Sequence, residues 1–404
     1  MGVLFVADNL TAPSHLWMRR MLDGLTEHVA VLTDDRDPGP RYSERLPVVM
    51  LKNDPAAIYR RGLRRAGFSI SCPPKVTALD KLHSAVKRPE VSAVLIHFLT
   101  RAAKYEAVWR RTTKPVFVHC HGYDVTWDLR FQEGWIGRPV HPSDYVDRVR
   151  ALPDNVNFIA NSQEARARLL EIGIANNRIT VKYLGVKTPA EAPFRTDAEN
   201  GVNILYLGRL IDCKGPDLLI QAFERASDQD LKGSLTLAGD GPMRLTCELL
   251  RQRSPYKDRI TLLGSVNGET GEMLRDRADI FSSHNCLGSV SRQEEAFGVS
   301  FVEAMAAALP VVSTRNASLP EIIEDGRQGI LVEPGDIDAH AHALLRLARD
   351  RDLRIQMGLD GWRRARDLFS IEKETASLRQ ILGLERPVPE VRREHPDLEL
   401  VHNS

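Results

Sequence analysis

The sequence predicts an α/β protein built from two doubly wound, Rossmann-like domains that face each other across a cleft. Three observations carry this expectation. Short apolar, β-branched runs alternate with helical patterns from the first residues onward, which builds parallel sheets covered on both faces. The runs number thirteen, too many for one ordinary open sheet. The pattern restarts after a Pro- and Ala-rich polar link from Lys187 to Pro193, and a chain of 404 residues suits two domains or a little more.

In order, strands are expected at 3–6, 29–32, 48–51, 94–98, 116–119, 158–160 and 179–183, with helices at 18–25, 76–86 and 164–172 between them. The second set of strands falls at 204–207, 235–238, 260–263, 280–282, 311–313 and 330–332, and a helix at 218–223 follows the first of these. A helix at 371–382 precedes a Pro- and charge-rich tail that reads as disordered. The expected division is 1–190, 191–365, a terminal helix within 366–385 and a tail at 386–404.

Composition sets the bounds. Apolar residues at 43% and charged residues at 27% are ordinary for a soluble globular protein, and a net charge of +1 gives nucleic acid no support. Cys72, Cys120, Cys213, Cys247 and Cys286 are far apart, with no Cys-x-x-Cys pair. That argues against a zinc ribbon or a disulfide framework and for a reducing cytoplasm. Asp8 interrupts the apolar start, and no window approaches 18 apolar residues, so neither a signal peptide nor a membrane span is expected. Four arginines, Arg60, Arg61, Arg64 and Arg65, stand beside apolar residues in 58–68. They read either as a solvated helix face, weakened by Gly62 and Gly67, or as a peripheral membrane contact at the inner face.

Ligands of open α/β sheets bind beyond the carboxyl ends of the strands, so the loops after strands matter most. Neither domain has Gly-x-Gly-x-x-Gly after its first strand, which disfavours a nicotinamide enzyme. Instead, Gly208-Arg209 leads through Lys214-Gly215-Pro216 into a helix. Two cations and a helix start on one loop make a pyrophosphate cradle, or else two solvated bases. Gly239-Asp240-Gly241-Pro242 is a second turn, open to a ligand approach or to simple tight turning.

Further on, Val299, Val302, Met305, Ala306 and Leu309 recur at helical spacing, so a helix should begin near Gly298. Glu295 then stands in the loop before it, and Glu303 on it, about 12 Å along the axis. That separation suits an extended polar ligand, and the helix start favours phosphate. An amphipathic helix with an acid near its N-terminus is the plain alternative. In the first domain, alternation puts His119 and His121 on one side of a strand, with Asp124 following. The spacing could serve a metal, but no third ligand is evident, and none is expected. His119 reads as packed, His121 as a cleft residue, and His97, at another strand end, as packed.

With these residues in place the chain resembles the GT-B-fold retaining glycosyltransferases of the large bacterial glycosyl transferases group 1 family. The resemblance rests on Gly208-Arg209 with Lys214-Gly215, Gly239-Asp240-Gly241-Pro242, and Glu295-Ala296-Phe297-Gly298 leading to Glu303-Ala304-Met305-Ala306. It rests also on Pro320-Glu321-Ile322, Asp325-Gly326 and Gly329-Ile330-Leu331-Val332. It is nearly continuous over 203–369, and thinner in the first domain, where His121-Gly122 with Asp124, Asn161-Ser162 and Gly185-Val186 match. Two stretches depart from the pattern: Thr11 to His15 occupies the place of a common Gly-Gly loop, and Ala317-Ser318 that of paired glycines.

The resemblance implies a nucleotide-diphospho-sugar donor, UDP- or GDP-linked, and metal-independent retaining transfer with no cofactor. The acceptor would belong to cell-surface polysaccharide, glycolipid or secondary-metabolite glycoside synthesis. Arg209 and Lys214, beside Gly208, would bind the pyrophosphate, and Glu303 the ribose hydroxyls. Glu295 with the backbone of Phe297, Gly298 and Val299 would hold the sugar, and Val266 would meet the base. His121 would lie by the reacting carbon, so His121, Glu295, Arg209 and Lys214 are the expected catalytic set. Ser14, His97 and Asp124 would face the acceptor, and the terminal helix would cross back to the first domain. A sugar-nucleotide epimerase, a glycan phosphorylase or a non-catalytic sugar-nucleotide-binding protein are the alternatives on the same fold.

Overall fold

A computed structural model describes residues 2–7, 10, 16–25, 27–33, 48–50, 77–125, 141–193 and 201–384. Ser14 with its loop, the arginine-rich stretch 58–68, Cys72 and the tail lie outside the described residues.

The first domain is a seven-stranded sheet of β1 (Gly2–Val6), β2 (His28–Thr33), β3 (Val48–Met50), β4 (Val91–His97), β5 (Val116–His119), β6 (Val156–Ala160) and β7 (Ile179–Val181). The second is a six-stranded sheet of β8 (Val202–Leu207), β9 (Gly233–Ala238), β10 (Ile260–Gly264), β11 (Ile280–Ser282), β12 (Val311–Thr314) and β13 (Gly329–Val332). Every strand pair is parallel. All thirteen expected strands are present, because parallel strands buried on both faces read as continuous apolar runs; β1 is buried at every position.

The described helices of the first domain are α1 (Leu16–Gly24), α2 (Ala78–Lys87), α3 (Leu99–Lys104), α4 (Glu106–Trp109), α5 (Tyr145–Arg150) and α6 (Gln163–Glu171). The second domain has α7 (Pro216–Asp228), α8 (Arg244–Arg253), α9 (Gly268–Arg277), α10 (Val299–Ala306), α11 (Leu319–Ile322), α12 (Ile337–Arg349) and α13 (Arg351–Leu368), with α14 (Ile371–Ile381) after them. Helices with good caps were easiest to foresee. In α2, Thr77 Oγ1 accepts from Asp80 N at 3.2 Å while Asp80 Oδ2 accepts from Thr77 N at 2.9 Å. In α7, Pro216 opens the helix, and Leu219, Ile220, Ala222, Phe223 and Ala226 bury one face. Helices α3, α4 and α5 are not among the expected elements, being too short to show a period.

Strand order is β3-β2-β1-β4-β5-β6-β7 in one sheet and β10-β9-β8-β11-β12-β13 in the other. The direction of winding reverses between β1 and β4, and again between β8 and β11. Those two points open crevices at the carboxyl ends of the strands.

The chain then returns to where it started. Val186 bridges Ser370, with Val186 N donating to Phe369 O at 2.8 Å and Ile371 N to Val186 O at 3.2 Å. From there α14 packs on α1, and Arg379 pairs with Glu27 at 2.5 Å. Tyr183, Phe297 and Phe369 form an aromatic trio with centroid separations of 5.3–5.9 Å. One apolar core therefore runs from Phe5 and Leu22 through Phe297, Phe301 and Leu378.

Candidate active site

At the second domain's crevice, β8 ends in Leu207 and hands over to Gly208-Arg209-Leu210. The turn after β9 lies directly on this loop. Gly239 has φ +148°, and a Cβ there would stand 1.8 Å from Gly208 O, so only glycine permits the approach. Leu210 N donates to Asp240 O at 2.9 Å, and Met243 N to Leu210 O at 2.9 Å. The glycine turn left open by the sequence is thus a backbone brace for the cationic loop.

Arg209 is exposed at the strand end. Lys214 Nζ lies 2.5 Å from Glu295 Oε2, and Asn285 Nδ2 donates to the same oxygen at 3.0 Å. Asn285 is fully buried, with Ser283 Oγ 2.7 Å from its Oδ1, and Ser318 Oγ donates to Glu295 O at 3.0 Å. Glu295 is held by side chain and backbone alike. Gly298, at φ +85°, turns the chain into α10, whose start has no side-chain cap among the described residues. That leaves the helix N–H groups and dipole beside the Lys214–Glu295 pair. Val299, the first residue of α10, and Val266, in the loop after β10, are half-buried, whereas the Phe297 ring is buried in the aromatic trio, so only its backbone is available.

Asp212 was not anticipated. Its carboxylate accepts from Val290 N at 2.7 Å and Ser291 N at 2.8 Å, pinning the loop before Glu295. Burial raises this carboxyl, but the hydrogen bonds from Ser291, Val290 and Cys213 outweigh it and hold it below the usual range.

Glu303 does not stand free. Arg275 reaches it at 3.2 Å and Arg20, from the first domain, at 3.6 Å, beside a cavity of about 170 Å³. Other links cross the domains: Arg168 pairs with Glu294, and the Glu321 carboxylate accepts from Gln163 N at 2.8 Å and Glu164 N at 2.9 Å, capping α6 from outside. The links across the domains are invisible in a linear reading, because their partners lie more than 120 residues apart.

In the first domain, His97 and His119 are register partners on β4 and β5, and His121 follows in extended backbone. His97 Nδ1 lies 3.2 Å from His121 Nε2, and Trp17 covers His121 at a centroid distance of 4.0 Å. Asp124 is fully buried, and its carboxylate accepts from Leu99 N at 2.8 Å and His121 N at 3.0 Å. It caps α3 and fixes the His121 backbone. His97 is also fully buried.

Behind Asn285 a buried relay fixes the site's rear wall. Gly335 N donates to His284 Nε2 at 2.8 Å, so His284 donates from Nδ1 to His340 Nδ1 at 3.0 Å. His340 then donates from Nε2 to Ser282 Oγ at 2.8 Å, and Ser282 to Val312 O at 3.1 Å. Burial lowers His284 from 6.5 to about 4, and burial with the neighbouring His284 lowers His340 well below 6.5. His119 is shifted the same way, first by burial.

The unfolded chain therefore takes up protons below about pH 6.5 that the folded chain refuses. Stability is full above that pH and falls as the pH drops toward 4. Asp124 opposes this, since burial pushes its carboxyl up to about 7 against its hydrogen bonds. Three imidazoles outnumber one carboxyl. The urea midpoint should be lower at about pH 5 than at about pH 7; a midpoint that holds or rises would refute the neutral relay.

Two parallel Rossmann-like sheets, each wound in both directions from its first strand, define the GT-B fold. Over 95% of this chain and all of the other, the structure matches that of HepE from Anabaena in complex with UDP, with TM-score 0.73 and 18% identity. Sucrose-phosphate synthase from Thermosynechococcus elongatus matches with TM-score 0.71 and 19% identity over 94% of this chain and 98% of the other. The model of the family glycosyl transferases group 1 matches residues 190–361. The amylovoran biosynthesis glycosyltransferase AmsK of Erwinia amylovora is 26% identical over 79% of this chain and 76% of its own length. A GDP-mannose-dependent phosphatidylinositol monomannoside mannosyltransferase of Mycobacterium tuberculosis is 28% identical over 61% of this chain and 63% of its own length. The chain is a glycosyltransferase.

Proposed function

We propose that this glycosyltransferase uses a nucleotide-diphospho-sugar, UDP- or GDP-linked, and transfers the sugar with retention of configuration. The observation that carries the reading is Lys214 and Arg209 on one strand-end loop, with Glu295, anchored on Lys214, just before the uncapped start of α10. The departing diphosphate gains negative charge, and two cations with a helix dipole stabilise that charge where it develops. No metal ion is required at the diphosphate. Retention follows if the acceptor attacks the face the diphosphate leaves, with a phosphate oxygen taking its proton. Glu295 would grip the sugar, Glu303 the ribose once it shares or leaves Arg275 and Arg20, and His121 would stand across the cleft by the reacting carbon.

The UDP complex of HepE and the GDP-mannose dependence of the mycobacterial relative support a sugar nucleotide as donor. The amylovoran relative supports a surface polysaccharide as product. No described helix is long and apolar enough to cross a membrane; a peripheral contact through 58–68 stays part of this proposal.

The test is incubation with a panel of radiolabelled nucleotide sugars, with and without oligosaccharide and glycolipid acceptors, in the presence of a chelator. The expected result is free nucleoside diphosphate and a labelled glycoside that keeps the donor's anomeric configuration. An isomerised nucleotide sugar, an inverted product or binding without turnover would overturn the reading.

A further inference from the structure

We propose that His97, His119 and His121 form a binding site for a divalent transition metal of the zinc class at the crevice of the first domain. The sheet register assembles it. His97 pairs with His119 across the parallel strands β4 and β5, so both imidazoles project from one face at the carboxyl end. Two residues beyond His119, extended backbone at φ −136° and ψ 154° returns His121 to that side. One ring nitrogen from each lies within 4.8 Å of the other two.

The distances suit coordination. Two nitrogens at about 2.0–2.1 Å from a tetrahedral zinc ion stand about 3.3 Å apart, and His97 Nδ1 and His121 Nε2 are 3.2 Å apart. One edge of the tetrahedron is in place, and rotation of the third ring supplies the next.

His119 is the second, independent observation. It is fully buried, yet among the described residues neither Nδ1 nor Nε2 has a hydrogen-bond partner. A buried imidazole normally finds one. Cys120 does not join the set: its thiol is turned to Val118 O at 3.7 Å. The fourth position is left to solvent or a substrate hydroxyl on the side of His121, which is 5% exposed.

A metal held here would occupy the His121 nitrogen and inhibit transfer. That consequence rests on the role given to His121 above; binding itself does not. The test uses the full chain, stripped of metal and titrated with Zn²⁺ and with Co²⁺. A single equivalent should bind, Co²⁺ should show the intense visible absorption of a four-coordinate site, and Zn²⁺ should raise the melting temperature.

His119→Phe keeps a ring of similar volume and removes both unpartnered nitrogens. It should weaken Zn²⁺ binding at least about 100-fold, yet melt at or above the parent's temperature without metal. Equal Zn²⁺ affinity in parent and variant, or a metal-free variant melting well below the parent, would overturn the site. Transfer by the parent should be inhibited by Zn²⁺ and restored by chelator, whereas His119→Phe should resist it. Binding at the three histidines without inhibition would uphold the site and overturn the role of His121 in transfer.

Discussion

Arg209→Ala is expected to lower kcat by about 100- to 1000-fold, on the scale of a lost oxyanion donor. Arg209 sits exposed at the carboxyl end of β8, where its charge is available to a leaving diphosphate rather than committed to the fold. Charge on that group is larger in the transition state than in the bound donor, so the loss falls on kcat more than on KM. Lys214→Ala should lose as much, and for two reasons. It removes a cation and also frees Glu295, whose Oε2 lies 2.5 Å from Lys214 Nζ.

Glu303 should behave differently. A ribose contact is the same before and during transfer, so Glu303→Gln should raise KM about 10- to 100-fold and spare kcat. Gln is the better probe than Ala, because it removes the charge yet keeps the side chain's size and an acceptor oxygen for Arg275, which reaches Glu303 at 3.2 Å. Steady-state kinetics with direct titration of nucleoside diphosphate separates the cases. Variants of Arg209 and Glu303 that bind and turn over as the parent does would place the nucleotide elsewhere.

Lys182→Ala should destabilise the protein by about 3–5 kcal/mol. Lys182 and Glu374 have side-chain exposures of 0% and 3% and are 2.5 Å apart, so removal of either leaves the other charged and buried. Burial already pulls the Lys182 ammonium below its usual range, against the opposing pull of Glu374. The pair joins the end of β7 to α14, close to the Val186–Ser370 bridge. Its loss should loosen the terminal helix first, as faster amide exchange across α14. Lys182→Met combined with Glu374→Leu should recover most of the loss in urea unfolding, because no unpaired charge remains. A double variant as unstable as Lys182→Ala would show that the pair contributes through geometry rather than charge.

How much of this was legible beforehand varies by residue. The thirteen strands were, since a run such as 204–207 is apolar at each step and a parallel strand buried on both faces needs that. So was the start of α10 near Gly298, where helical spacing and a glycine coincide. Asn285 could have been found by the rule that placed Arg209, since it follows β11, but nothing in its neighbours marks it. The short helices α3 to α5 lacked enough residues to show a period.

Pairings between elements were beyond the sequence. Asp124 reads as an acceptor-side acid after His121-Gly122, and only the fold shows the backbone N–H groups of Leu99 and His121 that its carboxylate accepts from. Glu303 reads as a free carboxylate, yet Arg275 and Arg20 converge on it from other helices.

By itself, then, the sequence determined two parallel sheets, the loops at their carboxyl ends and the residue types on those loops, because burial and helix periodicity act over neighbouring residues. Tertiary structure decided which of those residues meet. Register brought His97 to His119, and the pairing of β8 with β11 brought the Lys214 loop to the Glu295 loop. Hydrogen bonds and ion pairs act over about 3 Å, and only the folded chain sets distances of that size between residues so far apart in sequence.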